Sequence, residues 1–239
     1  MVVQISKFVW AGMLSALMAP VTVQAVALGD LTNPVDMQTF TAITSNNPPN
    51  TRNLENQLFV DIYGTRTTGI EDNQVLFVFR NEAGGIASSI QGIYFDDGNG
   101  ALLSVVGLID DDQSAGIFTH NDGTVDFTSG GTPPNLPNGE SIDFDADWRF
   151  TADSPAANRG INPGELFGVM FNLADGFTID DLLAAKAAGD FRIGLRVIAI
   201  GGAGGDSYVN VVPEPGIVWL LGSGLMGLAF ANRKRAECF

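Results

Sequence analysis

Several runs of this chain have the residue types and spacing to hold a hard cation. Asp110, Asp111 and Asp112 stand in a row, and Asp143, Asp145 and Asp147 alternate with Phe144, Ala146 and Trp148. Asp96-Asp97-Gly98-Asn99 is a third oxygen-rich run. Calcium takes about six to eight oxygen ligands, so such groups suit it if folding brings them together. Gly201-Gly202-Ala203-Gly204-Gly205-Asp206 fits the first six positions of a calcium-binding β-roll repeat. That repeat binds its ion between stacked turns, and one copy offers no stack, so a flexible hairpin turn is the better reading. None of the runs has EF-hand spacing. The sequence therefore requires no cofactor and admits one, calcium. The candidate ligands are Asp110, Asp111, Asp112, Asp143, Asp145 and Asp147.

Other chemistry is poorly supplied. His120, in the turn-like run Thr119-His120-Asn121-Asp122-Gly123, is the only histidine and Cys238, in the tail, the only cysteine, which all but excludes a Ser–His or Cys–His nucleophile and leaves too few ligands for zinc. No phosphate-binding glycine pattern follows a strand and opens a helix. Two carboxylates suffice for a glycosidase, and 27 Asp and Glu residues keep that class open. Sugar sites, however, use exposed aromatic platforms. Trp10 and Trp219 lie in the terminal segments, and Trp148 is in phase with Ile142 and Phe144, which places it in the core. The expectation is a protein without catalytic activity. The net charge of −15 repels nucleic acid. Lys7, Arg233, Lys234 and Arg235 lie in the terminal segments, so the body is more acidic than the whole.

Both termini read as targeting segments. Lys7, the apolar run Phe8 to Ala19 and Ala25-Val26-Ala27 form a secretory signal over residues 1–27, with Val23-Gln24-Ala25 as a competing cleavage site. At the other end, residues 211–239 hold Val212-Pro213-Glu214-Pro215, an uncharged run from Gly216 to Ala231, and Arg233-Lys234-Arg235. The two prolines stop any helix from running through out of the body. The apolar run would span roughly 24 Å as a helix at about 1.5 Å per residue. That is short for a bilayer core, but tilt and snorkelling of the cations absorb the difference. The basic cluster stays cytoplasmic by the positive-inside rule.

This order of motif, apolar segment and basic end resembles the PEP-CTERM sorting signal of Gram-negative bacteria. The resemblance implies recognition of Pro213, Glu214 and Pro215 by an exosortase, an integral-membrane protease, with loss of the helix and of Arg233, Lys234 and Arg235. It implies a transient stay in the inner membrane, then a place at the cell surface or outside, in a setting of exopolysaccharide and biofilm. Blocks of the body also resemble a recurrent body found on PEP-CTERM proteins that has no assigned activity. These are Tyr94 to Gly98, Asn135-Leu136-Pro137, Gly160 to Glu165, Leu182 to Arg196 and Tyr208-Val209-Asn210.

The body, residues 28–210, is long enough for one domain with a sizeable core. Leu31 to Asn53, rich in Thr, Asn and Pro, reads as an irregular segment. Short apolar or β-branched runs follow at Gln57 to Tyr63, Val75 to Arg80, Ile90 to Phe95, Leu102 to Ile109, Gly116 to His120 and Val125 to Thr128, each bounded by Gly, Asn or Asp. Ile142 to Trp148 alternates with period two, which predicts a strand with three carboxylates on its outer face. Leu166 to Leu173, Phe191 to Ile200 and Tyr208 to Val212 complete the strands. Ile179 to Ala188 is the one helical stretch, capped by Thr178 or Asp180 and ended by Gly189. The expected fold is an all-β, antiparallel β-sandwich with one short helix. The expected function is a non-enzymatic envelope or extracellular-matrix protein. A calcium-dependent or polysaccharide-binding module and a polysaccharide-active hydrolase are the alternatives.

Overall fold

The computed structural model describes residues 26–67, 69–109, 118–119 and 124–210. Residues 1–25 of the expected secretory signal, the tail from residue 211, His120 and Asp110-Asp111-Asp112 lie outside them, while Val26-Ala27, the end of that expected signal, is described as a short strand. The strands are β1 (Val26–Ala27), β2 (Asp36–Ala42), β3 (Leu58–Tyr63), β4 (Gln74–Asn81), β5 (Ser89–Asp97), β6 (Leu102–Ile109), β7 (Phe118–Thr119), β8 (Phe127–Ser129), β9 (Trp148–Ala152), β10 (Leu166–Leu173), β11 (Phe191–Ile198) and β12 (Gly205–Asn210). The helices are α1 (Asn50–Leu54), α2 (Ala156–Arg159) and α3 (Ile179–Ala188).

Ten strands form one continuous sheet in the order β6-β10-β4-β3-β2-β12-β11-β5-β9-β8, every neighbouring pair antiparallel. β1 and β7 make a small parallel pair apart from it. The expectation of a sandwich needs correction on this point. The two halves are joined through β2, whose Asp36 to Thr39 pair with β3 while Phe40 to Ala42 pair with β12. A strand that hands its pairing from one half to the other turns the corner without breaking the hydrogen-bond ladder. The sheet curls nearly into a barrel. Phe127 of β8 stacks on Phe167 of β10, 4.4 Å between centroids, although the two strands lie far apart in the strand order.

The fold is driven by the inner face. Phe77 and Phe79 of β4 and Phe171 of β10 meet Phe95 of β5, Phe150 of β9 and Phe191 of β11 in one buried aromatic cluster. Phe95 sits at its centre, with ring centroids 5.0 Å from Phe77 and 5.2 Å from Phe171, both edge-on. Edge-to-face pairs add to area burial, and each buried phenyl ring contributes about 2–3 kcal/mol. Trp148 packs edge-on against Phe171 at 5.4 Å.

Local signals explain the helix ends and the sheet edge. Thr178 and Asp181 form a reciprocal capping box at the start of α3, and Gly189 ends it in the left-handed region at φ 87°. β6 is an edge strand with two register shifts against β10, and they leave Leu103 and Val106 without partners in the ladder. These two bulged residues are also the most exposed apolar side chains of the sheet edge, at 56% and 45%. Bulges twist an edge and blunt its pairing with other strands.

Three further expectations are corrected. The segment from Leu31 to Asn53 contains β2 and most of α1, and α1 and α2 join α3 as helices. Ile142 to Trp148 is not a strand. A 3-10 turn covers Gly139–Ile142, Asp143 takes φ 52°, and the strand begins only at Trp148. The alternation is real in burial, but it comes from a loop lying on the sheet. Arg192 donates to the carbonyl oxygens of Ile142 and Asp143 and so takes the place of a neighbouring strand.

β12 is interior, between β2 and β11, and ends at Asn210, whose Oδ1 accepts from Ile193 N at 2.7 Å. The end of the body where the chain leaves β12 also carries the 63–74 loop, the 97–102 turn, the 139–148 loop and α3. The opposite end carries the 42–58, 81–89, 152–166 and 198–205 connections.

Candidate functional site

The candidate carboxylates at the exit end are Asp143, Asp145 and Asp147, all exposed. Folding brings two of them toward the Asp96-Asp97 turn. Asp147 Oδ2 accepts from Asp97 N at 2.7 Å, and Asp145 N donates to Asp96 Oδ2 at 3.3 Å. Asp96 is neutralised by Arg192, whose Nε donates to it at 3.1 Å and whose guanidinium lies over Phe144. Asp97 is buried and accepts from Ala101 N at 2.9 Å and Leu102 N at 2.8 Å. Burial, reinforced by the charges of Asp147 and Asp96, pushes its carboxyl above the ordinary 3.8 despite those two donors. Among the described residues no group of three or more His, Cys, Asp or Glu is placed to hold a metal ion.

At the opposite end the glycine-rich turn leads into a different carboxylate. Asp206 is fully buried. It accepts from Thr51 Oγ1 at 2.6 Å, from Thr44 Oγ1 at 2.8 Å and from Asn46 N at 2.8 Å. Burial opposes its ionisation, but the donors of Thr51, Asn46 and Thr44, with the charge of Arg196, outweigh it and hold the carboxyl below 3.8. Tyr208 adds a second tie, donating from its hydroxyl to Thr51 O at 3.1 Å. Asn47 Nδ2 donates to Ile200 O at 2.6 Å and fastens the 200–204 turn. The sixth position of the β-roll-like run thus serves as an internal clamp between the 44–51 loop and β12. Only Gly204-Gly205-Asp206 and the Asn/Pro run at 46–50 hinted at it, and neither names the other.

Also at the exit end lies a cleft of about 630 Å³. Leu31, Val35, Ile179 and Leu183 make its apolar wall, and Asp30, Arg66 and Asp180 its charged rim. Three segments far apart in sequence build it: the strap before β2, the turn after β3 and the first turns of α3. Lys186 of α3 is buried and pairs with Asp36 of β2 at 2.9 Å, which fixes the helix beside the strap. Sequence reading missed this cleft, because no single segment carries a periodic signal for it.

Residues 211–235 match the PEP-CTERM protein-sorting motif. The match begins one residue after Asn210, the last residue of β12. No curated protein and no solved structure matches the chain. The class is therefore set by the tail: a β-rich body joined directly to a sorting segment. The chain carries a PEP-CTERM segment that contains Pro213, Glu214, Pro215, Arg233, Lys234 and Arg235. Such a segment marks an exported protein processed by an exosortase, a membrane protein, through a membrane-anchored intermediate. Among the described residues no helix is long and apolar enough to cross a membrane.

Proposed function

We propose that this is a non-enzymatic envelope or extracellular-matrix protein, released at the cell surface after loss of its C-terminal apolar segment and basic tail, and linked to exopolysaccharide or biofilm. The observation that carries this reading is the sorting motif at residues 211–235, set directly behind the last strand. The state of the body's polar groups supports a structural role. The carboxylates of Asp61, Asp96 and Asp206 are held by Arg80, Arg192 and the Thr44/Thr51 pair. Tyr63, Tyr94 and Tyr208 are buried and offer no sugar platform, and Trp148 is half-buried, packed edge-on against Phe171. A calcium-dependent binding module is the second reading: Asp147 meets the Asp96-Asp97 turn through its carboxylate and Asp145 through its backbone N–H, and calcium would have to draw further oxygens to that turn.

The test is to express the full chain in a host with an exosortase and in the same host without it, and to measure intact mass and location. The reading predicts a product shortened near Pro215 and found outside the inner membrane only when the protease is present. Full-length protein kept in the inner membrane in both hosts contradicts it. Calcium-dependent thermal stabilisation of the released body would favour the second reading.

A further inference from the structure

The chain outside the described body fixes how close its folded end comes to whatever reads the motif. Asn210 is locked into the interior of the sheet by β11, β2 and its own side chain. Only Val211 and Val212 separate it from Pro213. Three steps of fully extended backbone span about 10 Å. A protein that grips Pro213 to Pro215 therefore meets the exit end of the body and no other face, at roughly one Debye length at physiological salt. That end exposes Asp175, Asp180, Asp181 and Asp190 around α3, and it contains the 630 Å³ cleft with its apolar wall and a rim of two carboxylates, Asp30 and Asp180, and one cation, Arg66, so its exposed charge is net negative. Anionic lipid headgroups are repelled by such a surface, whereas a basic protein surface with an apolar projection fits it.

We propose that this cleft and its acidic surround are a docking face for the membrane protease that processes the tail, engaged through a basic and partly apolar loop on the protease's outer side. The proposal rests on the sorting reading above and adds a contact with the body to recognition of the motif. Docking raises the local concentration of the motif at the protease by a second, weak contact.

The experiment follows conversion of full-length to shortened protein by pulse-chase in a host carrying the exosortase. Variant Asp30→Asn/Asp175→Asn/Asp180→Asn/Asp190→Asn is compared with Glu82→Gln/Asp153→Asn, which alters carboxylates on the opposite end. The proposal predicts conversion at least about threefold slower for the first set and unchanged for the second. Equal rates for the first set and the unmodified chain overturn it. A photo-crosslinking side chain at Thr65, on the cleft, is compared with one at Glu140, exposed on the 139–148 loop of the same end, so that nearness to the tail alone does not separate the two. Crosslinking to the protease from Thr65 alone supports the docking face even if the fourfold variant folds poorly; equal or absent crosslinking from Thr65 overturns it. If the unmodified chain is itself not shortened, the sorting reading falls and the docking face falls with it. If that chain is shortened and the charge set has no effect, only the docking face falls.

Discussion

Two buried aspartates at opposite ends of the body have been treated in opposite ways. Asp206 receives two hydroxyl donors and one backbone donor and has Arg196 nearby; Asp97 receives two backbone donors but shares its surroundings with Asp96 and Asp147. The first carboxyl titrates below its ordinary value and the second above it. Burial alone does not decide whether a charge is welcome; the balance of donors and neighbouring charges does. The end away from the exit is a clamp built on a satisfied charge. The exit end gathers Asp96, Asp97 and Asp147 at one turn, with Arg192 paired to Asp96, and exposes Asp175, Asp180, Asp181 and Asp190 around α3.

The largest effect should come from the clamp. Asp206→Ala leaves buried donors of Thr51, Thr44 and Asn46 without their acceptor, and we expect a loss of about 3 kcal/mol in urea denaturation. Asp97→Ala removes acceptors for Ala101 N and Leu102 N but also relieves repulsion from Asp147 and Asp96, so about 1 kcal/mol is expected. Equal losses would show that the two carboxylates are held alike. Titration separates them further. Asp206, depressed when folded, contributes stability above about pH 3.8 that is lost as pH falls through its lower folded value. Asp97, raised when folded, contributes stability below 3.8 that is lost as pH rises through its higher folded value. The deficit of the Asp206 variant should therefore shrink below pH 4, and that of the Asp97 variant should grow there, in melts run from pH 3 to 7. Thr51→Val deletes one of the three donors to Asp206, for about 1 kcal/mol and an upward move of the Asp206 carboxyl by NMR titration. Glu82→Gln, on an exposed pair with Arg80, should change stability by less than about 0.5 kcal/mol.

Much of the fold was legible because it is local. Strands β3, β4, β5, β6 and β10 fall within two residues of their apolar runs, and α3 has the bounds that Thr178 and Gly189 imply. β2 was hidden because only Phe40 of its residues is fully buried, so Asp36, Gln38, Thr39 and Thr41 read as loop. The 142–148 segment misled for the converse reason. Phe144 packs with Tyr94 and Leu136 on the outer face of the sheet, and a loop that lies on an apolar patch alternates in burial like a strand. That the two halves form one sheet depends on β2 changing partners, a non-local fact with no sequence signature. The same division holds for function. The sorting motif is a contiguous string and could be read directly. The cleft and the Asp206 clamp join segments that are distant in sequence, Thr44 and Asp206 by 162 positions, and no spacing rule connects them.

The proposed role of the tail, a removable address on a structural body, is checked by replacing Pro213, Glu214 and Pro215 with alanine in the full chain and measuring intact mass and membrane fraction in a host with an exosortase. The account predicts that the unmodified chain is shortened and leaves the membrane, while the substituted chain keeps its full C-terminus and stays. A substituted chain shortened and released like the original would contradict it.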